Sequence, residues 1–432
     1  MSTLLRLATA GSVDDGKSTL VGRLLHDSKS VLVDQLDAVE RVSRDRGLDT
    51  ADLALLTDGL RAEREQGITI DVAYRYFATA ERSFVLADCP GHVQYTRNTV
   101  TGSSTADALV LLVDARKGVL EQTRRHLAVA ALMRVPHVVI AVNKIDLVAH
   151  SEEVFRTLAA DVRAIATELG IPDAHAVPVS ALVGDNVVDR SPNTPWYDGP
   201  SLLELLETLP ADTDPVHESF RMPVQVVIRP QGAARSPEHV EYRGYAGQLA
   251  SGSVRVGDEV VVHPSGLRST VAGIDLGEQS LDVAVAPQSV TIRLPGDVHV
   301  SRGALLAAAT DPVPRRQEVT ALACWLGAEP LRPGARLPVK HGSRTALAMV
   351  RSIDGRLDLD ALRLAPAGEL ALNDIGRVTV RFAAPLPVEE YSTSRRGGAF
   401  LLIDPDDGRT LAAVMADARA PGEHPANGTT SP

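Results

Sequence analysis

Gly11-Ser-Val-Asp-Asp-Gly16-Lys17-Ser18 has the form G-x-x-x-x-G-K-S, and its reading decides the fold of the first half of the chain. It follows an apolar run, Leu4–Ala8, of strand length, and it opens an amphipathic helical pattern. A phosphate-cradling loop needs that strand–loop–helix setting. Glycines let successive backbone N–H groups wrap a β-phosphate, and the helix N-terminus behind them adds its positive end. The Lys17 ammonium is expected to neutralise β- and γ-phosphate oxygens, and the Ser18 hydroxyl to ligate Mg²⁺. Gly11, Ser12, Val13, Asp14, Asp15, Gly16, Lys17, Ser18 and Thr19 make up the expected cradle.

Outward from this loop, short apolar runs alternate with helical patterns as far as about residue 210. The further strand candidates are Phe84–Ala87, Ala108–Val113, Val138–Val142 and Ala176–Val179. After Ser151, residues Val154, Leu158, Val162, Ile165 and Leu169 recur at three- and four-residue steps. They predict a helix with Ser151 as N-cap and Gly170 as its stop. Such alternation implies an α/β P-loop domain, doubly wound, with a mostly parallel sheet covered on both faces. The texture changes at Pro210-Ala-Asp-Thr-Asp-Pro215. Beyond it come short alternating strands punctuated by Gly, Pro and Asp, as in Gly247–His263 and Gly376–Phe382. That pattern reads as two all-β barrels with a seam near Asp311-Pro-Val-Pro314. The expected division is residues 1–212, 218–311 and 315–418, with a disordered tail over 419–432.

The base is read from Asn143-Lys144-Ile145-Asp146, directly after the strand candidate Val138–Val142. The Asp146 carboxylate can accept hydrogen bonds from guanine N1–H and its exocyclic amine. Adenine offers neither donor there, and a site built for a particular edge can reject analogues by about 10⁴-fold or more. Asn143 is expected to brace the loops and the Lys144 stem to lie over the base. Ser180-Ala181-Leu182 adds backbone N–H groups for the guanine carbonyl. Between these segments lies Asp88-Cys89-Pro90-Gly91-His92. Asp88 is placed to hold Mg²⁺ through a water, Gly91 N–H to sense the γ-phosphate, and His92 to orient the attacking water. Gly67-Ile-Thr69-Ile70-Asp71 supplies a second switch, with Thr69 reaching Mg²⁺ and the γ-phosphate only when GTP is bound. The segment Arg61–Gln66 before it would then be released on hydrolysis, or is a solvated helix, or both in turn. His92, Lys17 and Thr69 are thus the expected catalytic residues, and Ser18, Thr69 and Asp88 the expected metal contacts. His26, His126 and His137 have no partners at metal-ligand spacing and read as structural or exposed.

Composition sets the outer limits. The 432 residues are 44% hydrophobic, 23% charged and only 3% aromatic, so the cores are aliphatic. A formal net charge of -11 argues against a large phosphate-backbone interface with nucleic acid. Cys89 and Cys324, far apart, form no disulfide framework and fit a reducing, cytoplasmic setting. The N-terminus shows no charged leader, and no run reaches the roughly 18 apolar residues of a membrane span.

In order and spacing these segments resemble the translation-factor class of GTPases, which use a G-domain and two barrels. Further runs resemble one branch of that class, the large GTPase subunit of bacterial sulfate adenylyltransferase. They include Gly22-Arg-Leu-Leu-His26-Asp-Ser-Lys29, Asp58–Phe77, Tyr95-Thr-Arg-Asn98, Asp114–His126 and Tyr242-Arg-Gly-Tyr-Ala-Gly247. Pro195–Leu203, Val300-Ser-Arg-Gly303 and Gly398–Asp404 carry the likeness through both barrels, over about residues 3 to 415. The resemblance implies GTP/GDP and Mg²⁺ as ligands and a smaller catalytic sulfate adenylyltransferase subunit as partner, in a heterodimer or higher assembly. That partner would make adenosine 5′-phosphosulfate and diphosphate from ATP and sulfate, driven by GTP hydrolysis on this chain. Some relatives add a C-terminal adenylylsulfate kinase; with no second phosphate loop in the sequence, none is expected here. The alternative within the class is a carrier of aminoacyl-tRNA. Ser12 and Asp15 stand where those carriers usually show His, which weakens it. Cys89 replaces the commoner Thr, Thr99 stands where Met is usual, and Pro405–Met415 follows the family only loosely.

Overall fold

A computed structural model describes residues 3–30, 33–45, 53–56, 71–92, 96–211, 217–233, 236–237, 240–296 and 298–417. Thr69, the Arg61–Gln66 segment and the 419–432 tail of the sequence reading lie outside these residues. The chain divides into two compact units, one built on Met1–Asp212 and one on Thr213–Arg356 with Ala365–Arg419.

The first unit is a six-stranded sheet in the order β2-β3-β1-β4-β5-β6. Its strands are β1 Thr3–Ala10, β2 Ala73–Ala78, β3 Arg82–Asp88, β4 Ala108–Asp114, β5 His137–Asn143 and β6 Asp173–Pro178. β1 runs parallel to β3 and β4, β4 to β5, and β5 to β6. Every residue of β4 and β5 is buried. Continuous apolar runs suit strands covered on both faces, which is why these two were legible. β2 was not foreseen. It pairs antiparallel with β3 at the sheet edge, where Tyr74 and Tyr76 stay exposed and no long apolar run marks it.

Among the described residues the α-helices are α1 Lys17–Asp27, α2 Val33–Asp45, α3 Thr96–Ser103, α4 Glu121–Leu132, α5 Glu152–Glu168 and α6 Leu202–Thr208. Ser151 caps α5 as expected, its hydroxyl accepting from Val154 N–H at 3.3 Å. The chain leaves α5 through Gly170 at φ +77°. At the far end of α6, the buried Arg82 guanidinium donates to the carbonyls of Leu206 (3.0 Å) and Glu207 (3.3 Å). A cation there satisfies orphan carbonyls and opposes the negative helix end.

The second unit is all β. Its first part packs Met222, Tyr245, Val260, Ile274, Ile292 and Leu306 into one core. Its last part is a closed barrel around Val339, Val378, Val380, Phe382, Leu402 and Val414. Closure is visible in the pairing: Arg336–His341 bonds to Ala399–Ile403 on one side and to Arg344–Asp358 on the other. The expectation of short strands holds in the first part only. Arg344–Asp358 runs 15 residues and Ile375–Pro387 runs 13. Register shifts at Val350/Ser352 and Ile353/Gly355 bend the longer strand around the ring, so no turn residue needs to interrupt it. Arg221, almost fully buried, pairs with Glu389 at 2.9 Å and Asp311 at 2.9 Å and so ties the first part to the last.

Candidate nucleotide-binding site

Parallel strands gather their carboxyl ends along one edge, and in such sheets that edge is where ligands bind. β1 delivers Thr9 and the loop Gly11–Gly16, β3 delivers Asp88, β4 delivers Asp114, and β5 delivers Asn143. The loop winds through two left-handed residues, Asp14 at φ +65° and Gly16 at φ +94°. Gly16 is required twice over, because a Cβ there would lie 2.5 Å from Asn143 Nδ2. Lys17 is buried, and its ammonium donates to the carbonyls of Gly11 (2.9 Å) and Ser12 (2.7 Å). Burial lowers the Lys17 pKa, opposed by the charges of Asp15 and Asp88. Inside the loop, Ser12 N–H donates to Asp15 Oδ2 at 2.6 Å. Burial raises the Asp15 pKa against the nearby Lys17 charge. Val13, Ser18 and Thr19 are half-buried, the last two in the first turn of α1.

Asp88, Cys89, Pro90 and Gly91 are buried and His92 is half-buried. Gly91 sits so close to the loop that a Cβ would meet Gly11 O at 2.7 Å. Thr9 orients the carboxylate: its hydroxyl donates to Asp88 Oδ1 at 2.9 Å and accepts from Cys89 N–H at 3.3 Å. Cys89 has no water contact, and burial pushes its thiol far up, so it is no nucleophile.

The base loops lock onto the phosphate loop through Asn143. Its Nδ2 donates to Asp15 O at 2.7 Å, and its Oδ1 accepts from Ala181 N–H at 3.0 Å. Ser180 N–H is also spent, on Asp185 O at 3.1 Å. Among the described residues Leu182 N–H has no such acceptor, which singles it out within Ser180–Leu182 for a ligand carbonyl. Ile145 is fully buried beneath the loop. Asp146 carries a buried Oδ1 with no hydrogen-bond partner. A buried acceptor without a donor is costly, and a ligand edge presenting donors would satisfy it. Thus all the site residues of the sequence reading except Thr69 gather at this edge.

Three neighbours of these residues, Thr9, Arg23 and Asp114, had no role in the sequence reading, and a fourth, His126, was read as structural or exposed. Thr9 holds Asp88. Arg23 of α1 donates to Ala181 O at 3.2 Å and to Leu182 O, tying the Ser180–Leu182 loop to that helix. Asp114 accepts from Lys144 and Arg116. His126 is buried with its Nε2 unpaired, and its pKa is pushed down to about 3, by burial first and by the Lys17 charge second. It is structural, as expected, but it stands against the phosphate loop. Among the described residues no group of three or more His, Cys, Asp or Glu side chains forms a metal cage. The hydroxyl of Ser18 and the carboxylate of Asp88 are hard oxygen donors, few in number, which suits Mg²⁺ that keeps several waters. No helix among them is long and apolar enough to cross a membrane.

A wound phosphate loop, an aspartate at the end of β3 and a base loop braced by asparagine define a P-loop GTPase of the elongation-factor class. Residues 2–212 match the family model described as Elongation factor Tu GTP binding domain, and residues 318–417 match the GTP-eEF1A C-terminal domain-like model. The chain is 51% identical to the bifunctional enzyme CysN/CysC of Mycobacterium tuberculosis, covering 96% of this chain and 67% of that one. It is 47% identical to sulfate adenylyltransferase subunit 1 of Cellvibrio japonicus, over 95% of this chain and 86% of the relative. The same identity relates it to subunit 1 of Bacteroides fragilis, over 95% and 85%. The chain belongs to the sulfate adenylyltransferase subunit 1 family of elongation-factor-like GTPases.

Proposed function

We propose that this chain is the GTPase subunit of a sulfate adenylyltransferase heterocomplex. In that reading it couples GTP hydrolysis to formation of adenosine 5′-phosphosulfate and diphosphate from ATP and sulfate. The adenylation is carried out by a smaller partner subunit. One observation carries the nucleotide half of the reading: the unpaired, buried Asp146 Oδ1 beside the Asn143 brace, which calls for the two donors of guanine. The sulfate half rests on likeness to subunit 1 relatives along nearly the whole chain.

In this reading Lys17 trades its two loop carbonyls for β- and γ-phosphate oxygens. Backbone N–H groups of Asp14 to Ser18 surround the β-phosphate. Ser18, Thr69 and, through water, Asp88 hold Mg²⁺, which when bound neutralises charge on the β- and γ-oxygens. Gly91 N–H follows the γ-phosphate, and the absence of a side chain lets that peptide turn when the phosphate leaves. His92 orients the attacking water. The chain's organisation is proposed as a GTPase domain over 1–212 and barrels over 218–311 and 315–418, working in the cytoplasm without nucleic acid or membrane.

Calorimetry with GDP, GTP and ATP tests the first half: guanine nucleotides bind and ATP does not. GTP turnover with the small subunit, ATP and sulfate tests the second. Unassisted turnover on the order of 10⁻⁴ to 10⁻² per second is expected to rise on adding all three. No rise removes the sulfate reading.

A further inference from the structure

Asp114 ends β4 directly beside Asn143, the two being register partners on neighbouring parallel strands. Its side chain is fully buried, yet it is charged and doubly held. Arg116 binds it with both arms, Nε to Oδ1 at 3.0 Å and Nη2 to Oδ2 at 2.7 Å. Lys144 Nζ reaches the same Oδ2 at 3.0 Å and also donates to Asp14 O of the phosphate loop. Burial alone would raise the Asp114 pKa, but the Arg116 and Lys144 contacts outweigh it and hold the carboxyl below the ordinary carboxylate range. Lys144 itself is strained, a non-glycine residue at φ +63°. Such backbone persists only where its surroundings over-determine it.

We infer that Asp114 is a positioning residue for the nucleotide base: by anchoring the Lys144 ammonium it fixes the Lys144 stem as one wall of the base slot and sets how long the nucleotide stays. The inference rests on the guanine-nucleotide reading above. Asp114 lies at the base end of the site, so its contribution is blind to the γ-phosphate. Arg116 binds both carboxylate oxygens and shares Oδ2 with Lys144, but the Lys144 anchor needs only the carboxylate and not the guanidinium.

The test is release of fluorescent GDP and of a fluorescent non-hydrolysable GTP analogue from the full chain by stopped flow. Asp114→Asn keeps shape and burial but removes the charge that holds Lys144. Both nucleotides are expected to leave faster by the same factor, on the order of tenfold, as for loss of one charge-assisted hydrogen bond. In a Lys144→Ala background the second change should add nothing. Arg116→Ala should release GDP no faster than the native chain. Native chain that binds neither nucleotide would sink the guanine reading itself. Native chain that binds, with unchanged release in Asp114→Asn, with additive effects in the double variant, or with Arg116→Ala matching Asp114→Asn, overturns the role of Asp114 alone.

Discussion

Asn143→Ala removes one side chain and two long-range hydrogen bonds. The lost contacts are Nδ2 to Asp15 O at 2.7 Å and Ala181 N–H to Oδ1 at 3.0 Å, at a side chain that is 1% exposed. Truncation leaves a carbonyl and an N–H unpaired, each costing roughly 1–2 kcal/mol after partial relaxation, so about 2–4 kcal/mol in all. At about 2–4 °C per kcal/mol for a domain of this size, the melting transition should fall by about 4–16 °C. Part of that cost should depend on ligand. The brace holds the phosphate loop and the Ser180–Leu182 loop at fixed separation, and only with both in place can one nucleotide touch both. The drop should therefore be larger in saturating GDP than without it, by the loss of binding free energy. Calorimetric scans of native and variant chains, with and without GDP, read both quantities. An equal drop in the two conditions would show the brace to be purely structural. A drop under about 1 kcal/mol in both would refute the reasoning altogether.

Thr9→Val, equal in shape, removes the hydroxyl that orients Asp88 and accepts from Cys89 N–H. GDP binding should then need on the order of tenfold more Mg²⁺, measured by titrating magnesium at fixed GDP. His126 has a folded pKa near 3, below its unfolded value of about 6.5. The unfolded chain therefore binds a proton that the folded chain refuses, and stability falls as pH drops from about 6.5 toward 3. His126→Leu should flatten that limb by up to about 1.4 kcal/mol per pH unit in urea titrations at stepped pH. Arg221→Met strands the mostly buried Glu389 and should cost about 3–5 kcal/mol. Arg221→Met with Glu389→Leu should recover most of it in chemical denaturation, and failure to recover would show that the ion pair itself, not burial, carries the junction.

What could be read from sequence was what repeats locally. Gly11–Ser18 and Asn143–Asp146 announce themselves because the phosphate and base contacts proposed for them would come from consecutive residues, and the buried strands because their apolar runs are unbroken. The edge strand Ala73–Ala78 escaped because it is half exposed and takes its place from β3, not from its own composition. Thr9, Arg23 and Asp114 escaped for another reason. Their partners Asp88, Ala181 and Lys144 lie 79, 158 and 30 positions along the chain, and no periodicity links such pairs. His126 reads only as structural or exposed until α4 is laid against the Gly11–Gly16 loop. Long barrel strands hide similarly, since bulges replace the turns that a sequence reading looks for.

The C-terminal barrel closes on itself through Arg336–His341, bonded on both flanks, and carries one short outlying strand, Arg363–Ala365, at the end of the same sheet. Within the closed ring no backbone row is left over, so among the described strands only the three-residue Arg363–Ala365 offers an edge to a visiting strand. Anything seated on the ring itself would have to grip side chains and loops, because the ring's own backbone rows are already paired.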